Sequence, residues 1–224
     1  MVTNWLKSLL SDAPEAAAPQ PRRTQAGPFG LSLGRAVGID VDAYRLIEGD
    51  LSDKVPPGSL VVSGHGVVNL DASGILHRYY DDKDNVLQVV CVGGVDAASV
   101  REVMLLQPWD SVVPQTPGEW ATWEGPGGRL GRRTYDADGV LFERHWGDPA
   151  SEWVPLVEFV EDVTVDEGPP RRVHQKTMAY KRPLPNGVVE NLVIIVERDL
   201  ASGDRGSISF MLGYGVAPAD VQPV

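Results

Sequence analysis

Apolar and polar positions alternate in short runs along much of this chain, most clearly over residues 76–91. Two runs rich in Leu, Val and Tyr there flank residues 81–85, which are mostly Asp, Asn and Lys. Alternation with a period of two is typical of strands, and Asp and Asn favour tight turns because their side chains bond nearby backbone amides. The pattern therefore predicts a central β-hairpin.

Two further hairpin signals follow along the chain. Residues 133–144 repeat the order Arg, Tyr, Asp, acidic turn and Val-Leu, with a turn one residue shorter, and Asn186-Gly187 separates two more apolar runs. Asn-Gly and Asp-Gly pairs are strong hairpin signals because both residues tolerate left-handed backbone. The repetition suggests two related halves, residues 29–113 and 129–216, within one β domain over residues 29–224.

Most of the remaining pattern also predicts strands. The one clear helix is predicted at residues 117–123, where Thr116, Pro117 and Glu119 form a capping box with proline at the first helical position. The fold class expected is mainly β: antiparallel hairpins forming a sandwich or barrel-like domain with one short helix. Strands are predicted at residues 36–40, 43–47, 59–70 with a kink at His65, 76–91 as the hairpin, 100–106, 129–135, 140–146, 153–165, 172–182, 188–198 and 207–216.

The first 28 residues differ in character from the rest. An apolar stripe at helical spacing predicts a short amphipathic helix, which residues 11–28, rich in Ala and Pro, tether as a linker. A helix this short is marginally stable alone, so its stripe is expected to dock on the domain, on a protein partner or at a membrane surface. The stripe consists of Trp5, Leu6, Leu9 and Leu10.

Charge and cysteine content narrow the function classes. The formal net charge is −11, and so acidic a chain is repelled by phosphate backbones, which argues against nucleic-acid binding. The single cysteine, Cys91, lies in an apolar run and cannot form an internal disulfide. No apolar run reaches the ~18 residues of a membrane span, and the start lacks a secretory signal pattern. A cytoplasmic location is expected, with contact at the inner face of the membrane as the alternative.

None of the common catalytic or metal-binding motifs is present. The four histidines lack partners at metal-ligand spacing, the Asp-rich turns lack the later ligands of a calcium loop, and Gly-x-Ser-x-Gly is absent. We therefore predict no catalytic, metal or cofactor residues. Four tryptophans within 34 residues are expected to pack in the core, with a ligand groove as the alternative: Trp120, Trp123, Trp146 and Trp153.

Several blocks of the chain resemble the YjfK-like family, a bacterial family of unknown function. The similarity rests on residues 28–31 with Gly34, residues 39–40 and residues 76–94, and more loosely on residues 142–146, 178–182 and 190–194. The resemblance implies no catalytic residues. It implies a setting, because such proteins are neighbours in bacterial gene clusters of membrane-stress coiled-coil proteins of the phage-shock type.

Two functions of different class follow. The first is a non-catalytic cytoplasmic adaptor, whose N-terminal helix engages a membrane-associated partner such as a coiled-coil protein of the phage-shock type. The second is a small-ligand-binding protein or enzyme with a site around the central hairpin. The candidate ligand-site residues are His77, Tyr79, Tyr80 and His145.

Overall fold

A computed structural model of the chain describes residues 26–70, 74–166, 168–200 and 206–224. These residues form thirteen strands and two short α-helices, which confirms the mainly β class. The strands are β1 (Ala36–Ile39), β2 (Ser59–Val61), β3 (Gly64–Asn69), β4 (Gly74–Tyr80), β5 (Val86–Val92), β6 (Val100–Val112), β7 (Thr134–Ala137), β8 (Val140–Arg144), β9 (Val157–Val165), β10 (Arg171–Pro183), β11 (Val189–Asp199), β12 (Ile208–Gly215) and β13 (Val221–Pro223); the helices are α1 (Asp42–Arg45) and α2 (Pro117–Trp123).

Eight of these strands close into an antiparallel barrel. Their order is β3-β4-β5-β6-β12-β11-β10-β9, and β9 pairs with β3 to complete the ring. One half of the barrel is the meander β3 to β6 and the other is the meander β9 to β12. β7 and β8 extend the sheet outside the ring, and β1, β2 and β13 form a separate three-stranded sheet. Closure removes unpaired edges from the ring.

The predicted turn chemistry is present in the central hairpin. The Asp81 carboxylate accepts hydrogen bonds from the backbone N–H groups of Lys83 and Asn85, each at 2.8 Å. In the second hairpin, Asp138 and Gly139 both have positive φ, 52° and 86°. Both central residues thus adopt the backbone that a two-residue hairpin turn requires.

An outer layer covers one side of the barrel. Aromatic rings from outside the ring pack on outward residues of β10 and β12: Tyr44 of α1 on Tyr214 with centroids 5.0 Å apart, and Trp123 of α2 on Phe210 at 5.8 Å. Tyr135 of β7 packs on Tyr180 at 5.5 Å. The largest apolar cluster therefore lies between the barrel wall and this layer, while smaller clusters lie inside the barrel.

Of the two short α-helices, one was predicted and the other was not. α2 has the predicted bounds, and Thr116 Oγ1 accepts from the N–H of Glu119. The strand predicted at residues 43–47 is wrong, because the helical turn α1 occupies most of this segment, directly after a turn in which Asp40 Oδ1 accepts from the N–H of Asp42. No helix in the described residues is long and apolar enough to cross a membrane.

The kink predicted at His65 is also misplaced. The strand breaks at residues 62–63, before β3 begins. β2 pairs with β1 in the small sheet, whereas β3 pairs with β4 and β9 in the barrel, so the chain changes sheet at this point. His65 continues the barrel strand.

Candidate functional site

Alternate residues of each barrel strand line the interior of the barrel. Cross-strand registers such as Gly66 with Arg78, Arg78 with Gln88, and Gln88 with Met104 place these residues on one face of the sheet. Side chains on a strand point alternately to opposite faces, so this face is the barrel interior. Apolar clusters line parts of the interior, and a group of polar side chains crosses its middle.

The middle of the interior holds a buried charge pair, Arg78 and Glu161. Arg78 is 3% exposed and Glu161 0%, and their nearest atoms, Nη1 and Oε2, lie 3.2 Å apart. Gln175 Nε2 donates to the same Glu161 oxygen at 2.7 Å, and the Tyr80 hydroxyl donates to the other at 2.7 Å. Arg78 Nε donates to Gln88 Oε1 at 3.1 Å. We call these five residues the belt.

Space for the belt comes from a glycine on β3, the strand between β4 and β9. A Cβ atom at Gly66 would lie 1.6 Å from Glu161 Oε1. Any larger residue would therefore push the carboxylate off the guanidinium. The close approach explains why β3 carries glycine at this inward position.

Electrostatics fix the protonation states around the belt. Burial alone would lower the pKa of Arg78, but the Glu161 carboxylate raises it above its ordinary value. Burial, together with the charge of Glu161, also raises the pKa of Tyr80 well above 10. Glu197, which accepts from Gln175 Nε2 at 2.9 Å, has its pKa raised by burial and by Glu161. The belt thus combines the charged guanidinium of Arg78 and the neutral phenol of Tyr80 with the Glu161 carboxylate, whose charge repels that of Glu197.

The belt separates two cavities, which we call the polar chamber and the apolar chamber. The polar chamber measures about 620 Å³, within the ~300–1,000 Å³ range of small-molecule sites. The two chambers share only Arg78 among their lining residues. The polar chamber is lined by Arg78, Tyr80, Asp84, Val86, Leu106, Pro108, Trp109, Asp110, Ser111, Ile195, Glu197, Ser207, Ser209 and Met211.

The apolar chamber is smaller, at about 80 Å³, and lies on the other side of the belt. Most of its lining is aliphatic or aromatic, with a few polar groups between. Burial raises the pKa of one of them, Glu102. Its lining is Leu70, Leu76, Arg78, Gln88, Val90, Glu102, Met104, His145, Trp146, Val157, Phe159, Thr177, Ala179, Asn191 and Val193.

The four predicted ligand-site residues do not share one pocket. His77 and Tyr79 lie on the outer face of β4, whereas Tyr80 points inward, lines the polar chamber and bonds Glu161. His145 follows β8 and lines the apolar chamber. Successive residues of a strand alternate faces, so Tyr79 and Tyr80 are separated by the sheet itself.

On the outer face, His77 belongs to a cluster of three nearly parallel rings. The centroid of His65 lies 5.3 Å from that of His77 and 4.7 Å from that of Tyr79, which are 6.4 Å apart, and His65 Nε2 is 3.1 Å from His77 Nδ1. Burial lowers the pKa of both histidines to about 4; for His77 the proximity of His65 adds to this. Both rings are therefore neutral at physiological pH.

The other predicted residues have different outcomes. Trp5, Leu6, Leu9 and Leu10 lie outside the described residues, so their helix stays a prediction. Of the four tryptophans, Trp120 and Trp123 pack in the outer core, Trp153 Nε1 donates to Leu130 O at 2.8 Å, and Trp146 lines the apolar chamber.

Sequence reasoning gave no role to Glu161, Gln175 or Glu197, nor to Arg78 within the hairpin. A signal existed for Arg78 and Glu161, because these charged side chains occur at positions whose strand neighbours two residues away are aliphatic or aromatic. Nothing along the chain, however, indicates that β4, β9 and β10 bring them together. Within the described ranges, no group of three His, Cys, Asp or Glu side chains is arranged to hold a metal ion.

Comparison with known proteins confirms the resemblance predicted from the central hairpin. The chain is 24% identical over 169 residues to the protein of Escherichia coli (strain K12) described as "Uncharacterized protein YjfK", covering 75% of this chain and 76% of that one. No solved structure matches it. The model of a family described as "Protein of unknown function (DUF2491)" matches residues 1–222. Since that match spans nearly the whole chain, this protein belongs to the DUF2491 family.

Proposed function

We propose that this protein binds a small, positively charged organic molecule in the polar chamber, without catalysing a reaction. The observation that carries the proposal is a ligand-sized chamber whose one lining cation, among the described residues, is already paired with a buried carboxylate. This is a form of the small-ligand function predicted around the central hairpin, since Tyr80, Asp84 and Val86 of that hairpin line the chamber.

Charge favours a cation over an anion. Asp84, Asp110 and Glu197 line the chamber, while the charge of Arg78 is matched by Glu161 in the belt. A cation entering the chamber gains carboxylate partners and relieves the repulsion between Glu197 and Glu161. The net charge of −11 adds a long-range field that attracts cations.

An aromatic ring and hydroxyl groups complete the lining. The indole of Trp109 offers a face for a cation, an interaction of about 0.5–2 kcal/mol, and Ser111, Ser207 and Ser209 can bond polar substituents. The described lining contains neither histidine nor cysteine, so it lacks the histidine-activated serine and the thiol nucleophile of the common covalent mechanisms, and its three carboxylates serve as partners for a cation. Binding without turnover is therefore the function this lining supports best.

Calorimetry with matched ligands tests the proposal. Choline and its neutral isostere 3,3-dimethyl-1-butanol have the same shape, and putrescine and succinate compare opposite charges. We expect the cations to bind and the neutral and anionic probes to bind at least about tenfold more weakly, a difference of ~1.4 kcal/mol. Equal binding of choline and its isostere would overturn the proposed charge preference.

Two variants locate the site. Glu197→Gln removes a chamber carboxylate and should weaken cation binding, whereas Asp162→Asn, on the outer face of β9, should leave it unchanged. The same loss in both variants would mean that the cation responds only to overall charge. Failure of every cation in the panel to bind at millimolar concentration would overturn the proposal.

A further inference from the structure

The apolar chamber contains two polar groups whose hydrogen-bonding capacity is unused. Trp146 Nε1 is buried and has no acceptor. Glu102 is half-buried, its carboxyl group makes no hydrogen bond or ion pair to another described residue, and burial raises its pKa. A buried N–H group normally has an acceptor, so the unpaired indole N–H requires an explanation, and the Glu102 carboxyl group lines the same cavity.

The other polar groups of the chamber have partners. Thr177 Oγ1 donates to the Ile194 carbonyl at 3.1 Å, and Asn191 Nδ2 donates to the Gly213 carbonyl at 3.3 Å. Gln88 Oε1 accepts from Arg78. The unused donor and the unused carboxyl group are thus distinct from the groups that the fold itself employs.

We propose that the apolar chamber is a second binding site, for a small neutral molecule that has a hydrocarbon body and a hydroxyl group, such as a phenol. The hydroxyl oxygen accepts from Trp146 Nε1, and a hydroxyl hydrogen can be donated to the Glu102 carboxyl group. The hydrocarbon body lies against residues such as Leu76, Met104 and Phe159. This site goes beyond the proposed cation site, because the belt separates the two chambers.

The alternatives satisfy the chamber less well. An ammonium ion can pair with Glu102 but cannot accept from the Trp146 N–H, and it would lose its hydration among apolar side chains. A carboxylate can accept from Trp146 but meets the Glu102 carboxyl group. A hydrocarbon leaves both groups unpaired. The volume of about 80 Å³ limits the occupant to a small molecule, and a single ring with a hydroxyl is near the upper limit.

The test compares phenol and p-cresol with toluene, aniline and benzoate, by ligand-observed NMR and calorimetry on the full chain. We expect p-cresol to bind at least about tenfold more tightly than toluene, the ratio that one satisfied hydrogen bond of ~1.4 kcal/mol provides. Equal affinity for toluene and p-cresol, or no binding of any ring compound at 5 mM, roughly the weakest range that calorimetry resolves, would overturn the proposal.

Variants distinguish this site from the polar chamber. Trp146→Phe removes the N–H and keeps a ring, and Glu102→Gln removes the charge while keeping size, so each should lower the ratio of p-cresol to toluene affinity toward one. Glu197→Gln should leave that ratio unchanged, and choline binding should persist in Trp146→Phe. If the ratio stays unchanged in both Trp146→Phe and Glu102→Gln, these groups do not recognise the ligand and the proposal fails, whatever happens at the cation site.

Discussion

At the scale of single residues, the centre of the belt is the buried ion pair of Arg78 and Glu161, and the other belt residues bond to this pair inside the barrel. Removing charge from water is costly, and the attraction between Arg78 and Glu161 offsets that cost only because Gln88, Gln175 and Tyr80 supply the remaining hydrogen bonds. The pair is thus better regarded as a device that fixes the barrel register and divides its interior than as a source of net stability.

Glu161→Gln should destabilise the protein by about 3–5 kcal/mol, because it leaves the buried guanidinium of Arg78 without a counter-charge. Urea unfolding at pH 7 measures the change. The matched control is Asp162→Asn, at the next residue, where the side chain faces outward and pairs with exposed Arg172 at 3.0 Å. We expect that change to cost at most about 1 kcal/mol. Similar small losses in both variants would contradict the enclosed pair.

The buried rings of His65 and His77 predict that the protein is sensitive to acid. The pKa of His65 and His77 is about 4 in the fold, below the usual value of 6.5 that applies in the unfolded chain. Between those values the unfolded chain binds protons that the folded one does not, so the free energy of unfolding contributed by these residues falls as pH drops from 6.5 to 4 and is constant above 6.5.

Urea unfolding at pH 7, 6, 5 and 4.5 measures this dependence. His65→Gln removes one titrating ring, so its unfolding free energy should fall less steeply over that window than that of the unchanged protein. Tyr79→Phe keeps both histidines and should preserve the steeper fall. Parallel pH dependences for His65→Gln and the unchanged protein would show that other groups control the acid response.

At the scale of elements, local turn chemistry holds the hairpins in register. Asp81 is 7% exposed, and besides two backbone N–H groups its carboxylate accepts from Asn85 Nδ2 at 2.8 Å. Asp84 has a positive φ of 61°, which Asp tolerates better than most residues. The turn also places Asp84 at the polar chamber, so the same residues shape both the hairpin and the candidate site.

Asp81→Ala should therefore cost about 1–2 kcal/mol of unfolding free energy, since three donors lose their acceptor in a turn that water only partly reaches. Thermal and urea unfolding measure it. Asp82→Ala, at the exposed neighbouring position, is the control and should change stability by less than about 0.5 kcal/mol. Equal effects would mean that net charge, and not the turn, accounts for the loss.

At the scale of the whole molecule, the barrel depends on a covering layer drawn from both ends of the described chain. β1 pairs with β13, and Leu31, fully buried, belongs to the outer core. The Tyr44 hydroxyl donates to the Gly215 carbonyl at 2.6 Å, which joins α1 to the end of β12. Residues from Pro28 onward therefore contribute to the outer core.

Deleting residues 1–25 should shift the melting temperature by less than about 2 °C, because the described core lies beyond that point. Deleting residues 1–32 also removes buried Leu31 and Pro28 and should lower it by more than about 5 °C, equivalent to roughly 2 kcal/mol for a chain of this length. Differential scanning calorimetry compares the two. A large drop from the shorter deletion would show that residues 1–25 contribute to the core.

The sequence by itself determined the class of fold and its local parts. Period-two alternation and Asp-, Asn- and Gly-containing turns act over a few residues, so the hairpins and the capped helix at Thr116 could be predicted. The same local reasoning misread residues 43–47, where a turn in which Asp40 accepts from the N–H of Asp42 leads into the helical turn α1 in spite of the strand-like composition. The family resemblance also came from local blocks, chiefly the central hairpin.

Only the tertiary structure decided which residues meet in the barrel interior. Arg78, Glu161 and Gln175 come from three strands, and the first two are separated by 83 positions in the chain. Their meeting depends on ring closure and register, which are set by long-range pairing that short-range patterns do not specify. Tyr79 and Tyr80 show the same limit. The alternation of side chains along a strand predicts that they face opposite sides of a sheet. Only the closure of the barrel places Tyr80 at the polar chamber and Tyr79 in the outer core.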